Sequence, residues 1–369
     1  MNIGDTFAPV AKLASLPMIL ALEALNGWEI DHMDVVTAFL NSPVNDDIYM
    51  VFPEGIDWLD PGKPASMTVC KLNKALSGLK EAPRLLYEEI DRFLLSAGFR
   101  KSVNDPNPYL SSDCDLILLL YVDDLLLTTK GRTWINTTKA RLHCRYKIND
   151  LGPARKFLGL EIDQLPNQYI QLHQQPFILK VLQRLNMQEG NKVHTPMESQ
   201  RRKVAPKDND KLIDQREYQS LVGSLMYVAV GTRPDLAFAI SVLSKYNSKP
   251  TTDHLLATKR VLRYLKETSG MALVYGSVDK LIGYTDSDFA GDLNDRKSTS
   301  GYVCTLAGAA VLWKSKKQSL VSLSSTEAEY IACSEAIREG IWLRRLHHEI
   351  THRKLNAISQ SLQLVLSDS

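Results

Sequence analysis

Two aspartates stand side by side at Asp123 and Asp124, between the apolar runs Leu116-Ile117-Leu118-Leu119-Leu120-Tyr121-Val122 and Leu125-Leu126-Leu127-Thr128-Thr129. Acids are common at tight turns, so a solvated hairpin tip is one reading. The flanks support another: both runs suit strands buried in a sheet, where an uncompensated carboxylate is costly. A divalent cation would compensate, and Mg²⁺ accepts hard carboxylate oxygens while keeping part of its water shell. Strand geometry sends Asp123 and Asp124 to opposite sides, so one is the main ligand and a third acid must come from elsewhere. Asp34, 89 residues upstream at the end of the alternating Trp28-Glu29-Ile30-Asp31-His32-Met33-Asp34, is the natural candidate.

A second group of acids lies toward the C-terminus. In Ile282-Gly283-Tyr284-Thr285-Asp286-Ser287-Asp288, Asp286 shares a pleat side with Ile282 and Tyr284, which predicts a buried carboxylate. The run Ser324-Ser325-Thr326-Glu327-Ala328-Glu329-Tyr330 opens a helix, and both Ser324…Glu327 and Thr326…Glu329 fit a capping box. Capping accounts better for Glu327, which leaves Glu329 as the ligand candidate. Of Lys259, Arg260, Arg263 and Lys266, at least three share a helix face at i, i+4, i+7 spacing, which suits a duplex backbone or is simply solvated. Lys314, Lys316 and Lys317, and Lys80 with Arg84, carry the same two readings.

The elements that must position these residues follow from periodicity and punctuation. A helix is predicted over 12–25 with a stop at Gly27, and Pro17 inside it predicts a kink or a cost of ~3 kcal/mol. After the strand ending near Asp34, turns fill 42–66, a short strand covers 67–72, and a helix covers 83–97, closed by Gly98. The Asp123 hairpin is followed by a second one within 151–174, pairing 157–162 with 169–172 around Pro166-Asn167. Helices dominate 176–269, with a polar joint at 197–212. Strands return at 272–275, 281–286, 301–306 and 309–313, then a long helix over 325–349 and a last strand over 362–366.

The chain of 369 residues is 44% hydrophobic and 23% charged, which excludes collagen-like and disordered classes and leaves room for two or three domains. Five cysteines (Cys70, Cys114, Cys144, Cys304, Cys333) are scattered and form no C-x-x-C pair. They argue against a disulfide framework or a thiolate zinc site and for a reducing compartment. With 44 basic against 42 acidic residues, any nucleic-acid footprint must be local. No apolar run approaches the ~20 residues of a membrane span, and 13–25 lacks a basic leader and carries Glu23, so neither a membrane nor a secretory route is expected.

The ordered segments Thr6-Phe7-Ala8-Pro9, Met33-Asp34-Val35-Val36-Thr37-Ala38-Phe39-Leu40-Asn41, Val69-Cys70-Lys71-Leu72-Asn73-Lys74-Ala75-Leu76, Tyr121-Val122-Asp123-Asp124 and Phe157-Leu158-Gly159-Leu160-Glu161-Ile162 resemble copia-type retrotransposon reverse transcriptase. So do Tyr284-Thr285-Asp286-Ser287-Asp288 and Ser325-Thr326-Glu327-Ala328-Glu329-Tyr330, and the likeness runs through nearly the whole chain. It implies an α+β fold: a right-hand polymerase palm with partial fingers (an antiparallel sheet with helices) over 1–175, a helical thumb or connection over 176–270, and a C-terminally truncated ribonuclease H-like α/β domain over 271–369. It further implies an RNA-directed DNA polymerase, a nucleotidyltransferase with a ribonuclease H module. Asp34, Asp123 and Asp124 would serve two Mg²⁺ (or Mn²⁺) ions, and Asp286, Glu329 and Asp368 the nuclease metals. Phe39 looks like the aromatic gate under the incoming nucleotide sugar, although an ordinary core aromatic fits as well. The 157–162 hairpin resembles the element that grips the primer terminus. The implied partners are an RNA template, a DNA primer, the RNA·DNA hybrid and deoxynucleoside triphosphates. The implied location is the cytoplasm, in virus-like particles, or the nucleus.

The chain departs from that pattern in four places. The basic strand that precedes Thr6 in the family is expected to be missing, Ser77 and Glu81 replace the usual Tyr and Gln, Pro17 enters a helix, and the chain stops just after Asp368. The expectation is a polyprotein fragment, with a catalytically inactive nucleic-acid-binding relic as the alternative.

Overall fold

A computed structural model describes residues 8–9, 12–44, 46–51, 53, 69–112, 116–189, 191–198, 211–276, 279–352 and 363–366, the last four as backbone alone. The chain divides into two compact units, one of residues 1–12 with 30–153 and the other of 13–29 with 154–369. No helix among the described residues is long and apolar enough to cross a membrane.

Helix α1 (Ser15–Asn26) lies in sequence between the two stretches of the first unit but belongs to the second. The first unit runs β1 (Glu29–Val35), β2 (Tyr49–Val51), β3 (Val69–Lys71), α2 (Ala82–Ser96), β4 (Phe99–Lys101), β5 (Pro108–Ser111), β6 (Leu116–Tyr121), β7 (Asp124–Thr129), α3 (Arg132–Arg145) and β8 (Ile148–Pro153). Six of these strands form one sheet in the order β4-β5-β6-β7-β1-β8, and β2 pairs with β3 separately. β6 and β7 sit in the sheet's middle and are buried on both faces, which is why they read as unbroken apolar runs and not as alternating ones. One face packs Met33, Val35, Leu118, Leu120, Leu125 and Leu127 against Leu86, Ile90 and Leu94 of α2 and Ile135 and Leu142 of α3.

The second unit continues with β9 (Lys156–Phe157), β10 (Leu160–Gln164), β11 (Ile170–His173), α4 (Gln175–Arg184), α5 (Gln215–Gly231), α6 (Ala237–Ser244), α7 (Thr252–Glu267), β12 (Leu273–Tyr275), β13 (Ile282–Ser287), β14 (Thr299–Leu306), β15 (Ala309–Lys317), α8 (Ser325–Thr351) and β16 (Gln363–Leu366). The predicted strand at 157–162 is itself a tight hairpin: β9 and β10 pair around Leu158 and Gly159, both at positive φ. β12 joins β11, β10 and β9 in one four-stranded sheet. Helices α4 to α7 share a core that includes Ile178, Leu225, Leu236, Ile240 and Val261. α1 is buried on nearly every side and packs on β11, β12 and β15.

The last sheet has the order β15-β14-β13-β16, with β13, β14 and β15 antiparallel and β16 parallel to β13. A parallel neighbour needs a crossover, and α8, between β15 and β16 in the chain and packed on β13 and β14, supplies it.

One expectation is corrected. The first helix starts at Ser15, so Pro17 lies in its first turn, where the missing N–H costs little and no interior kink arises. Most of the polar joint at 197–212 lies outside the described residues, as does Asp368.

Candidate active sites

In the first unit the hairpin of β6 and β7 turns at Val122-Asp123, and Tyr121 pairs with Asp124 across it. Val122 has φ of 57°, an uncommon conformation for a β-branched residue and a strained tip of the kind that gathers at functional positions. β1 lies next to β7, and the Val35 amide donates to the Asp123 carbonyl at 2.9 Å. That bond brings the end of β1 against the turn. On β1, Asp31, Met33 and Val35 are buried, while His32 and Asp34 alternate onto the half-exposed side. Nε2 of His32 lies 2.8 Å from Oδ1 of Asp124, and Asn149 on β8 donates to Asp34 Oδ2 at 3.4 Å.

Burial holds the Asp123 carboxyl above the usual carboxylate range, and the charges of Asp124 and Asp34 add to this against a hydrogen bond to its own backbone. A half-buried carboxyl whose ionisation two neighbouring acids oppose is what a cation would relieve. Among the described residues, however, no three His, Cys, Asp or Glu side chains are already gathered as a metal cage. The donor set suits a hard cation; its final closure is not built in.

His32 carried no role in the sequence reading. Its signal was the i, i+2 spacing to Asp34, which puts both on one pleat side. Phe39 sits in the short 3-10 turn Ala38–Asn41, half-buried against the core of this unit. Arg84 is engaged by Glu88 at 2.8 Å and Glu81 at 3.6 Å, so the charge of Glu81, which stands where Gln is usual, is partly offset by its neighbour, while Lys80 is exposed.

In the second unit Asp286 lies on β13, but the expected burial is reversed. Gly283, Thr285 and Ser287 face inward, and Ile282, Tyr284 and Asp286 take the more open side. The alternation was right; the buried face was assigned wrongly because Ile282 and Tyr284 are apolar. Tyr284, 44% exposed, lines a groove of about 410 Å³ with Asp286, Phe238, Tyr302, Trp313 and Lys314. Glu327 caps α8 as predicted: its amide donates to Ser324 Oγ at 3.1 Å and its carboxylate accepts from the Leu323 amide at 2.7 Å. Glu329 instead reaches β13, where Oε1 accepts from the Ser287 amide at 3.2 Å, one residue from Asp286. Its Oε2 and the Ser287 hydroxyl are buried with no hydrogen-bond partner among the described residues. A buried orphan oxygen beside a carboxylate-bearing strand end suits a cation or a bound water. Asp288 is spoken for by the loop, accepting from the Thr299 amide at 2.6 Å.

The proposed cationic surfaces are partly tied up. Arg260 pairs with Glu198 at 2.7 Å, Lys316 with Glu335 at 3.5 Å, and Lys317 with Asp292 and Asp295 at 2.7 Å each. Lys259 and Lys314 are exposed.

The fold and the placement of these acids describe a mixed α/β protein with antiparallel sheets and carboxylates at strand ends. The family described as reverse transcriptase (RNA-dependent DNA polymerase) matches residues 1–199. The chain is 41% identical over 365 residues to the retrovirus-related Pol polyprotein from transposon TNT 1-94 of Nicotiana tabacum, covering 96% of this chain and 27% of that protein. It is 39% identical over 354 residues to the retrovirus-related Pol polyprotein from transposon RE1 of Arabidopsis thaliana, covering 95% of this chain and 24% of that one. The putative transposon Ty5-1 protein of Saccharomyces cerevisiae is matched along its whole length, at 36% identity over 312 residues and 83% of this chain. The chain belongs to the reverse transcriptase family of copia-type retrotransposon Pol polyproteins. It spans about a quarter of the length of the two plant polyproteins.

Proposed function

We propose that this chain is an RNA-directed DNA polymerase with a ribonuclease H module, working in the cytoplasm or nucleus on an RNA template, a DNA primer, the RNA·DNA hybrid and deoxynucleoside triphosphates. The palm occupies 1–175, the thumb or connection 176–270 and the nuclease 271–369. The observation that carries the polymerase reading is the bond from the Val35 amide to the Asp123 carbonyl, which sets Asp34 beside the Asp123-Asp124 turn. Asp34, Asp123 and Asp124 would hold Mg²⁺ or Mn²⁺. When bound, such ions supply charge for the attacking 3′-hydroxyl and the departing pyrophosphate. The half-buried setting of Asp123 would limit the screening of that charge by water, and His32, 2.8 Å from one oxygen of Asp124, would orient that carboxylate. Phe39, in its turn beside β1, would close off the position of a ribose 2′-hydroxyl.

For the nuclease, the order β15-β14-β13-β16 with its crossover helix supports the reading, and Asp286, Glu329 and Asp368 would be its ligands. Primer extension on poly(rA)·oligo(dT) with Mg²⁺ tests the polymerase. The expected outcome is extension by the wild type and a loss of at least about a hundredfold in Asp123→Asn. The second reading, a nucleic-acid-binding relic, is favoured by the cationic side chains left exposed at Lys80, Lys259 and Lys314. It would give no extension above that variant, yet salt-dependent binding of the hybrid.

A further inference from the structure

Gln318 follows β15 directly, where the chain leaves the sheet for α8. Its side chain is 5% exposed and fully employed. Nε2 donates to Ser300 Oγ on β14 at 2.9 Å and to the Ala328 carbonyl in the first turn of α8 at 2.9 Å, while Oε1 accepts from Ser322 Oγ at 2.8 Å. Its own amide donates to the Ser298 carbonyl at 2.8 Å. The two residues bridged by Nε2 are not arbitrary. Ser300 faces Ser287 across the β13–β14 ladder, and Ala328 precedes Glu329, whose carboxylate accepts from the Ser287 amide.

The connection between Gln318 and α8 has little apolar packing to hold it: Leu320 is 54%, Val321 47% and Leu323 88% exposed. Hydrogen bonds must set the height of the first turn of α8 above the sheet, and a buried amide with each bond made allows one arrangement. The beneficiary is Glu329, whose second oxygen, like the Ser287 hydroxyl, waits buried and unpartnered among the described residues.

We propose that Gln318 is the positioning residue of the Asp286–Glu329 site, the clamp that fixes the Glu329 carboxylate against the end of β13. Its consequence for metal rests on the nuclease reading; the placement itself does not. The test is site-resolved hydrogen exchange of the full chain without metal, read at the Ser287 amide, with Glu329→Gln as the reference for a lost acceptor charge. In Gln318→Met, of similar volume but without the bonds, Ser287 should exchange at least about tenfold faster while Tyr302, deeper in the same ladder, changes little. Ser322→Ala, which removes only the bond to Oε1, should give a smaller acceleration in the same direction and serves where the Met variant does not fold. Equal acceleration at Ser287 and Tyr302, or none at Ser287, overturns the proposal. A parallel Mn²⁺ titration separates it from the nuclease reading. Uptake insensitive to Asp286→Asn sinks the nuclease while leaving the clamp standing, and uptake that needs Asp286 alongside an unresponsive Ser287 does the reverse.

Discussion

Asp31 and Asp34 lie three residues apart on β1 and do opposite work. Asp34 takes the half-exposed side with His32, whereas Asp31 is wholly buried beneath α3, paired with Lys139 and with Arg132 at 2.6 Å. Lys139 also holds Asp150 at 2.6 Å, so one ammonium ties β1, α3 and β8 together behind the acids. Hydrogen bonding from Lys139 holds the Asp150 carboxyl below its usual range although burial alone would raise it. Removing the ammonium leaves the buried Asp31 with the half-exposed Arg132 alone, and breaking a buried pair from one side costs up to about 3–5 kcal/mol. Lys139→Met should therefore lower unfolding stability by that amount in urea, and adding Asp31→Asn should recover a large part of it. If the double variant is no better than the single one, Asp31 is not the residue that needs the charge. The Asp34, Asp123 and Asp124 group was legible because acids ended apolar strand runs. The Asp31–Lys139 pair was not, since its partner sits more than a hundred residues away on a helix with no apolar stripe.

That helix, α3, is the clearest element that periodicity overlooked. Its buried positions are Ile135, Thr138, Lys139 and Leu142, a correct i, i+3, i+4, i+7 face on which two of four residues are polar. β4 and β8 escaped for a related reason: short pieces with charged or glycine-bearing sequence gain their place from neighbours in the sheet. The elements that were read well carried their own punctuation, such as the Ser324 cap of α8 and Gly27 after α1 at φ of 63°. The hairpin of β9 and β10 shows what strand-like patterning conceals. Gly159 has φ of 76°, and a Cβ there would meet the Tyr227 hydroxyl at 2.4 Å, while that hydroxyl donates to the Leu158 carbonyl at 2.7 Å. Gly159→Ala should therefore cost about 2 kcal/mol or more, combining left-handed strain with a displaced hydrogen bond, and lower the thermal midpoint. Tyr227→Phe in the same chain should relieve the clash and leave the backbone strain, so a full rescue would contradict the role given to φ.

At the scale of the whole chain, a net charge of +2 hides local order. Most of the element order was legible, but the packing of α1 was not: it lies between the two stretches of the first unit in sequence and packs with the second, on strands that local spacing cannot point to. Charge is organised in the same long-range way. Asp292, whose side chain is 11% exposed, receives Lys317 at 2.7 Å and Lys245 at 3.1 Å, joining the loop after β13 to β15 and the end of α6. Burial alone would raise its carboxyl, but hydrogen bonds from Lys317, from the Asn294 amide and from Lys245 outweigh it and hold the group at about 2. An unfolded aspartate titrates near ~3.9, so the folded form is the stronger acid and the unfolded chain takes up the proton first. The stabilisation is thus complete above pH ~4, fades as pH falls through the folded value, and amounts to at most about 3 kcal/mol. Urea midpoints of wild type and Asp292→Asn should differ most at neutral pH and converge toward pH ~2, because the variant has nothing left to protonate there. A gap that stays constant over that range would mean that the two lysines hold Asp292 for its shape and not its charge.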